Sequence, residues 1–125
     1  MVLAAVCVTA WSTAVADDFD GSKPLTCATT DAIECSVGLR CFQDVPEAMG
    51  APGFMHIDFA RKLVVGPKRT TPIVSMETMA AQVLLQGTEL GFAWAIALDR
   101  ESGRMIATIA DRAGAFLMFG ACTAL

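Results

Sequence analysis

The one histidine of this chain marks the place where acid–base chemistry could occur. His56 and Asp58 occupy alternate positions of an apolar segment, so on a β-strand they share one face, with Glu77 as a candidate third member. Positions i and i+2 of a strand lie about 7 Å apart, and no serine stands in a nucleophile motif. We therefore predict no catalytic residues and interpret His56, Asp58 and Glu77 as a candidate polar surface site.

The cysteines give a stronger signal, because four of the five follow residue 16. Cys27, Cys35, Cys41 and Cys122 allow three pairings, and in an oxidising compartment a small exported domain commonly uses all of its cysteines. The short spacing around Gly38 favours a Cys35–Cys41 bridge, which leaves Cys27 to pair with Cys122. The alternative is redox chemistry or a metal site, but the chain has no C-x-x-C motif. We predict two disulfides, no metal and no cofactor.

The N-terminus has the composition of an export signal. Residues 2–10 form an apolar run that is too short to span a bilayer, and residues 14–16 form an A-x-A cleavage signal. We predict a secretory signal peptide over residues 1–16, a periplasmic or secreted location, and no stable membrane insertion after the signal is removed. The alternative is an apolar N-terminal strand or helix of a cytosolic domain, which would place Cys7 inside the fold.

Length and charge limit the number of domains and the class of partner. Residues 17–125 are enough for a single domain with a modest core and too few for two. The formal net charge of −4 argues against nucleic acid, whose phosphates require a concentrated cationic surface. We predict an unknown envelope protein or glycan as the partner, no nucleic acid, and a monomeric state.

From residue 53 onward, apolar and polar residues alternate with a period of two and turn residues recur at regular intervals. This pattern predicts an all-β fold, in which residues 53–125 form a small antiparallel meander, either a barrel or a strongly curved sheet. Closure is favoured because an open meander would leave apolar edge strands unpaired. Residues 17–52 show few strand signals, and we predict for them an irregular cap held by disulfides, with a short helix near residues 46–49.

Large and small side chains alternate along residues 92–98, with aromatic and branched residues on one face and alanines on the other. Phe92 and Trp94, together with Phe116, are therefore candidates for an apolar lining of the barrel interior. Side chains can fill the interior of a barrel of about eight strands by themselves. A solid core is thus the favoured expectation, and a ligand cavity is the alternative.

Two stretches near the ends of the predicted mature chain carry a resemblance. The first reads FDGSKPL-x-C and spans Phe19 to Cys27, and the second is the FGAC sequence at residues 119–122. With them the chain resembles a family of small exported, periplasmic proteins of Gram-negative bacteria whose function is uncharacterised. These motifs consist of cysteines, turn residues and strand residues. The resemblance therefore implies export and a single fold, and it transfers no active site.

In plan alone, the chain is also similar to the C-type lysozyme-inhibitor barrels of the bacterial envelope, which are small, antiparallel and stapled by cysteines near both termini. Those inhibitors carry a tyrosine-ended inhibitory loop, and this chain has no tyrosine. The function predicted from the sequence is a non-catalytic secreted or periplasmic binding module, inhibitor-like in plan. The alternatives are a carrier that holds a small apolar ligand in a β-barrel and, in last place, an enzyme.

Overall fold

Ten β-strands and one short 3-10 helix make up the part of the chain that the computed structural model describes, residues 17–125. The strands are β1 (Leu25–Ser36), β2 (Arg40–Asp44), β3 (Phe54–Asp58), β4 (Leu63–Val65), β5 (Thr70–Pro72), β6 (Ser75–Thr78), β7 (Gln82–Glu89), β8 (Phe92–Asp99), β9 (Arg104–Ala110) and β10 (Gly114–Ala124). The helix, Pro46–Met49, lies where a short helix is predicted. The predicted signal peptide and Cys7 lie outside the described residues. No helix in the described range is long and apolar enough to cross a membrane.

The strands form one antiparallel sheet in the order β5-β4-β3-β1-β10-β9-β8-β7-β6, with β2 attached to β1. This order confirms the all-β fold and the meander. Its two ends, β5 and β6, are separated in the chain by only Ile73 and Val74. The Ile73 N–H donates to the carbonyl of Lys62 and the Val74 N–H to the carbonyl of Gln86, each at 2.8 Å. One short segment therefore contacts both ends of the sheet, which curls into a barrel-like shape.

Large inward side chains fill one end of this barrel. Along β8, Ile96 and Leu98 are buried while Ala97 between them lies on the opposite face, as the alternation predicts. The fully buried apolar side chains of this end come from five strands: Leu25, Ile57, Val83, Leu85, Leu98 and Met105. This packed half of the barrel is the main hydrophobic core, and burial of its side chains stabilises the curled sheet.

Residues 17–24 cover the packed end, which we call the closed end. Phe19 packs onto Gly103, where even a Cβ atom would overlap the phenyl ring. Gly103 also has a φ of 74°, a conformation that glycine adopts without strain. The Arg100 guanidinium donates to Asp17 Oδ2 at 3.2 Å and to the Met79 carbonyl at 2.8 Å. These contacts hold the start of the described chain across the β8–β9 turn.

The prediction of an irregular cap over residues 17–52 needs correction. Only residues 17–24 act as a cap, whereas β1 is a 12-residue strand between β3 and β10. Two inward positions of β1 carry Cys27 and Thr29, so the alternation of hydropathy is weak there. A register shift between Thr29 and Asp31 then breaks the period of two. Because of these two features, the periodicity of hydropathy does not predict β1.

Both predicted disulfides are present. Cys27–Cys122 joins β1 to β10 with Cα atoms 3.9 Å apart, and Cys35–Cys41 joins β1 to β2 with Cα atoms 4.1 Å apart. In each bridge the two cysteines are direct partners across antiparallel strands. The first bridge connects residues 95 positions apart, and the second staples a local hairpin. The pairing preference drawn from the cysteine spacing is thus confirmed.

Because of the turn after β8, the free energy of unfolding should depend on pH in the acid range. The backbone N–H groups of Ser102 and Glu101 each donate to Asp99 Oδ1 at 2.8 Å, and they hold the pKa of Asp99 below its ordinary value of 3.8. A lowered pKa stabilises the folded protein above the unfolded pKa, and this contribution is lost as pH falls through the folded pKa. We therefore expect Asp99→Asn to lower the urea midpoint at pH 7. The difference between the two midpoints should shrink as the pH falls below 3.8, and a difference that does not change with pH would contradict this account.

Candidate ligand-binding cavity

A cavity of about 630 Å³ opens at the other end of the barrel, which we call the open end. Strands β8, β9 and β10 and the β2–β3 and β4–β5 connections supply most of its wall, and β3, β4, β5 and β7 complete it with one residue each. The large apolar side chains that line it are Met55, Val64, Phe92, Trp94, Ile96, Ile109, Phe116 and Met118. Pockets for small molecules commonly measure about 300–1,000 Å³. At this end the barrel interior is not the solid core that the strand count favours.

Small residues at inward positions explain why space remains. Towards the open end, the inward positions of β7 pass from Leu85 to Gly87, and those of β9 pass from Met105 to Ala107. A barrel interior of this size stays empty only where the side chains pointing into it are small. Gly87 leaves room for the Trp94 indole, and Ala107 on the cavity wall leaves open space, so both small residues shape the cavity.

Trp94 is a firmly held part of the wall. Its indole lies over Gly87, where a Cβ atom would overlap the ring. The indole N–H donates to Thr71 Oγ1 at 3.2 Å, and the Thr71 hydroxyl donates to the Thr88 carbonyl at 3.4 Å. Because the polar edge of the indole has its hydrogen bond within the protein, the apolar ring surface is available for contact with a ligand.

The three aromatic residues selected as a candidate lining all lie on the wall of this cavity. Phe92 and Trp94 are inward positions of β8, and Phe116 is an inward position of β10. Sequence alternation places these side chains on the interior face, but it does not show whether they fill the interior or surround a space. The structure shows that they surround a space.

Four charged residues lie at the mouth of the cavity, two of each sign: Glu47, Lys68, Arg69 and Glu89. Lys68 and Arg69 belong to the β4–β5 connection, Glu89 ends β7, and the Glu47 carboxylate lies against Gly53. Their formal charges sum to zero. The mouth thus offers polar contacts to a ligand without attracting an ion of either sign over the other.

The residues of the candidate polar surface site are not assembled into one group. His56 Nδ1 lies 3.0 Å from Thr26 Oγ1 on the neighbouring strand, and Asp58 Oδ1 accepts the N–H of Arg61 at 3.0 Å in the β3–β4 turn. Glu77 lies on β6, which pairs with β7. Each of these contacts is ordinary for a strand or turn residue, and no hydrogen bond within residues 17–125 joins two members of the set.

In the part of the chain that the structure describes, no group of three or more histidine, cysteine, aspartate or glutamate residues could hold a metal ion. No protein-family model, no curated protein and no solved structure matches this chain. The class of protein is therefore described from the fold and the cavity alone. The protein has a barrel-like antiparallel sheet, two disulfides and an apolar cavity that is open at one end.

Proposed function

We propose that this protein is a non-catalytic binding protein that holds a small, mostly apolar molecule in the open-end cavity. The observation that supports the proposal is a volume of about 630 Å³ surrounded by aromatic, aliphatic and methionine side chains. Moving apolar surface out of water into such a space contributes about 25 cal/mol per Å². The sequence favours an envelope protein or glycan as the partner, whereas the cavity favours the carrier alternative.

The charged residues at the mouth of the cavity indicate the net charge expected for the polar part of the ligand. Because Glu47 and Glu89 balance Lys68 and Arg69, we expect the ligand to be uncharged or zwitterionic at the end that remains near the solvent. Its apolar part would lie against Trp94, deeper in the barrel. A molecule with an alkyl or aromatic body and a single neutral polar group fits this arrangement.

Binding outside the cytoplasm is part of the same proposal. Two disulfides in a small domain are typical of proteins that mature in an oxidising compartment, and this supports a periplasmic or secreted location. The predicted relationship to a family of small exported proteins agrees with that location. An envelope protein or glycan as a further partner remains a prediction from the sequence.

A series of straight-chain alcohols tests the proposal. Trp94 is the one tryptophan among residues 17–125, so its fluorescence in the protein without residues 1–16 reports on the cavity alone. We expect saturable binding of 1-hexanol, 1-octanol and 1-decanol, with the affinity rising up to about fourfold for each added methylene. The increase should stop at the chain length that fills the cavity, because further methylenes remain in water.

Decanoate and decylammonium are the matched controls for the charge at the mouth. With a neutral mouth, neither ion should bind more tightly than 1-decanol. Two results would contradict the proposal: no saturable fluorescence change with any alcohol, or an affinity that keeps rising with chain length without a limit, which indicates adsorption to an outer surface.

A further inference from the structure

The outer edge of β2 is unpaired in the described part of the chain. β2 pairs there with β1 alone, and all five of its residues are exposed. An unpaired strand edge presents backbone donors and acceptors to any strand that approaches it. The Cys35–Cys41 bridge fixes β2 against β1, so this edge is held in an extended conformation ready for pairing.

The geometry of that bridge identifies the backbone groups that point outward. Antiparallel partners have Cα atoms about 4.5 Å apart in a non-hydrogen-bonded pair and about 5.5 Å apart in a hydrogen-bonded pair. The Cα atoms of Cys35 and Cys41 are 4.1 Å apart, so this pair is of the first kind. The N–H and C=O groups of Cys41 therefore point away from β1, and those of Gln43, two residues further on, do the same.

We propose that two copies of this chain pair antiparallel through the outer edges of β2, about a twofold axis at Phe42. In this register, Cys41 of one copy lies opposite Gln43 of the second copy, and each such pair exchanges two backbone hydrogen bonds. Arg40 then lies opposite Asp44 of the second copy at both ends of the contact. The edge is complementary to itself in hydrogen bonding and in charge, as a twofold interface requires.

Phe42 provides apolar contact on the twofold axis. It is 68% exposed in the single chain, and in the proposed register it lies directly opposite Phe42 of the second copy. Direct partners in a non-hydrogen-bonded pair have their side chains close together, and an aromatic pair there adds stability. Pairing would thus cover an aromatic side chain that a single chain leaves in water.

The charges select this register over its neighbours. Registers centred on Cys41 or on Gln43 would also use the outward backbone groups, but Arg40 would no longer face Asp44. An edge of five residues is short, and interfaces smaller than the standard size are weak. We therefore expect a reversible dimer that forms as concentration rises, in contrast to the monomer expected from the sequence.

Exchange of the charges tests the proposal. We expect sedimentation of the oxidised protein to show a monomer–dimer equilibrium as its concentration is raised to about 1 mM. Arg40→Asp and Asp44→Arg each create like-charge pairs at the interface, so each variant alone should dimerise at least about tenfold more weakly. An equimolar mixture of the two variants restores opposite charges at both ends and should recover the dimer.

Arg61→Asp is the matched control, because it makes the same charge change in the exposed β3–β4 turn and should dimerise like the wild-type protein. Recovery in the mixture also shows that both variants are folded. The proposal is overturned by a wild-type protein that stays monomeric at every concentration, by a mixture that does not recover, or by an Arg40→Asp variant that dimerises as the wild type does. None of these results depends on whether the cavity binds a ligand.

Discussion

Replacement of Cys27 and Cys122 by alanine should lower the free energy of unfolding by about 4–5 kcal/mol. The bridge closes a loop between residues 95 positions apart, and loop closure in the unfolded chain is the main source of the stability that a disulfide provides. This loss is a large part of the total stability of an ordinary domain. Equilibrium urea unfolding of the oxidised protein and of the double variant measures it.

The second bridge is the matched control. Cys35 and Cys41 are six positions apart, and removal of their disulfide should cost only about 2 kcal/mol in the same loop-closure account. Both double variants lose one disulfide and gain two alanines, so their difference combines the effect of loop length with the cost of truncating Cys27 and Cys122 in the core. Equal losses for the two variants would contradict the role given to the long bridge in holding β1 against β10.

Ala107→Phe should weaken the binding of 1-decanol by about 100-fold. Ala107 is an inward residue of β9 on the cavity wall, and a phenyl group there occupies space equivalent to roughly four methylenes, each worth about 0.8 kcal/mol. Because the ring enters a space that is already present, the melting temperature should stay the same or rise. Fluorescence titration and thermal unfolding of the same sample measure both effects.

Ala110→Phe is the matched control, since Ala110 lies on the same strand and is exposed. It introduces the same side chain outside the barrel and should leave the affinity for 1-decanol unchanged. A melting temperature several degrees lower for Ala107→Phe would show that its phenyl group does not fit and that the interior at the open end is already filled. Unchanged affinity in Ala107→Phe would place the bound alcohol elsewhere.

The Cys35–Cys41 bridge and most strands could be predicted from the sequence because the signals that define them are local, and the Cys27–Cys122 pairing followed because these two cysteines were left. β4 and β9 carry such a signal, since each is a run of strand formers with a turn sequence on each side. The run of strand formers at residues 72–76 is divided in the structure between β5 and β6. Its two halves pair with opposite ends of the sheet, and this change of partner depends on distant residues.

The cavity could not be predicted, because it depends on which side chains share a layer of the barrel. Gly87 and Ala107 are ordinary small residues when each strand is considered alone. Ala107 leaves a space, and Gly87 leaves room for the Trp94 ring, because both point into the same end of a curled sheet. The alternation of side chains along a strand predicted aromatic residues of the cavity wall. The volume between them could not be predicted, because it depends on the register of several strands.

The residues of the self-complementary β2 edge are consecutive in the sequence, Arg40-Cys41-Phe42-Gln43-Asp44. Their ability to pair with a second copy could not be predicted, because it depends on which edge of β2 is free. Sequence alternation could not show that only one edge of this strand is occupied among the described residues. The spacing between Cys35 and Cys41 predicted the disulfide, whereas the hairpin that it staples was not predicted. The orientation of the outward backbone groups followed only from the Cα distance across that bridge.

The methionine methyl groups provide the most direct measurement of the central claim that the open end of the barrel binds an apolar molecule. Met55 and Met118 line the cavity, Met105 is buried at the closed end, and Met76 and Met79 are exposed on the outside. In methyl NMR spectra recorded during a titration with 1-decanol, the signals of Met55 and Met118 should shift in a saturable manner while the other three stay in place. Shifts confined to Met76 and Met79, or no shift at Met55 and Met118 at saturating alcohol, would contradict the claim.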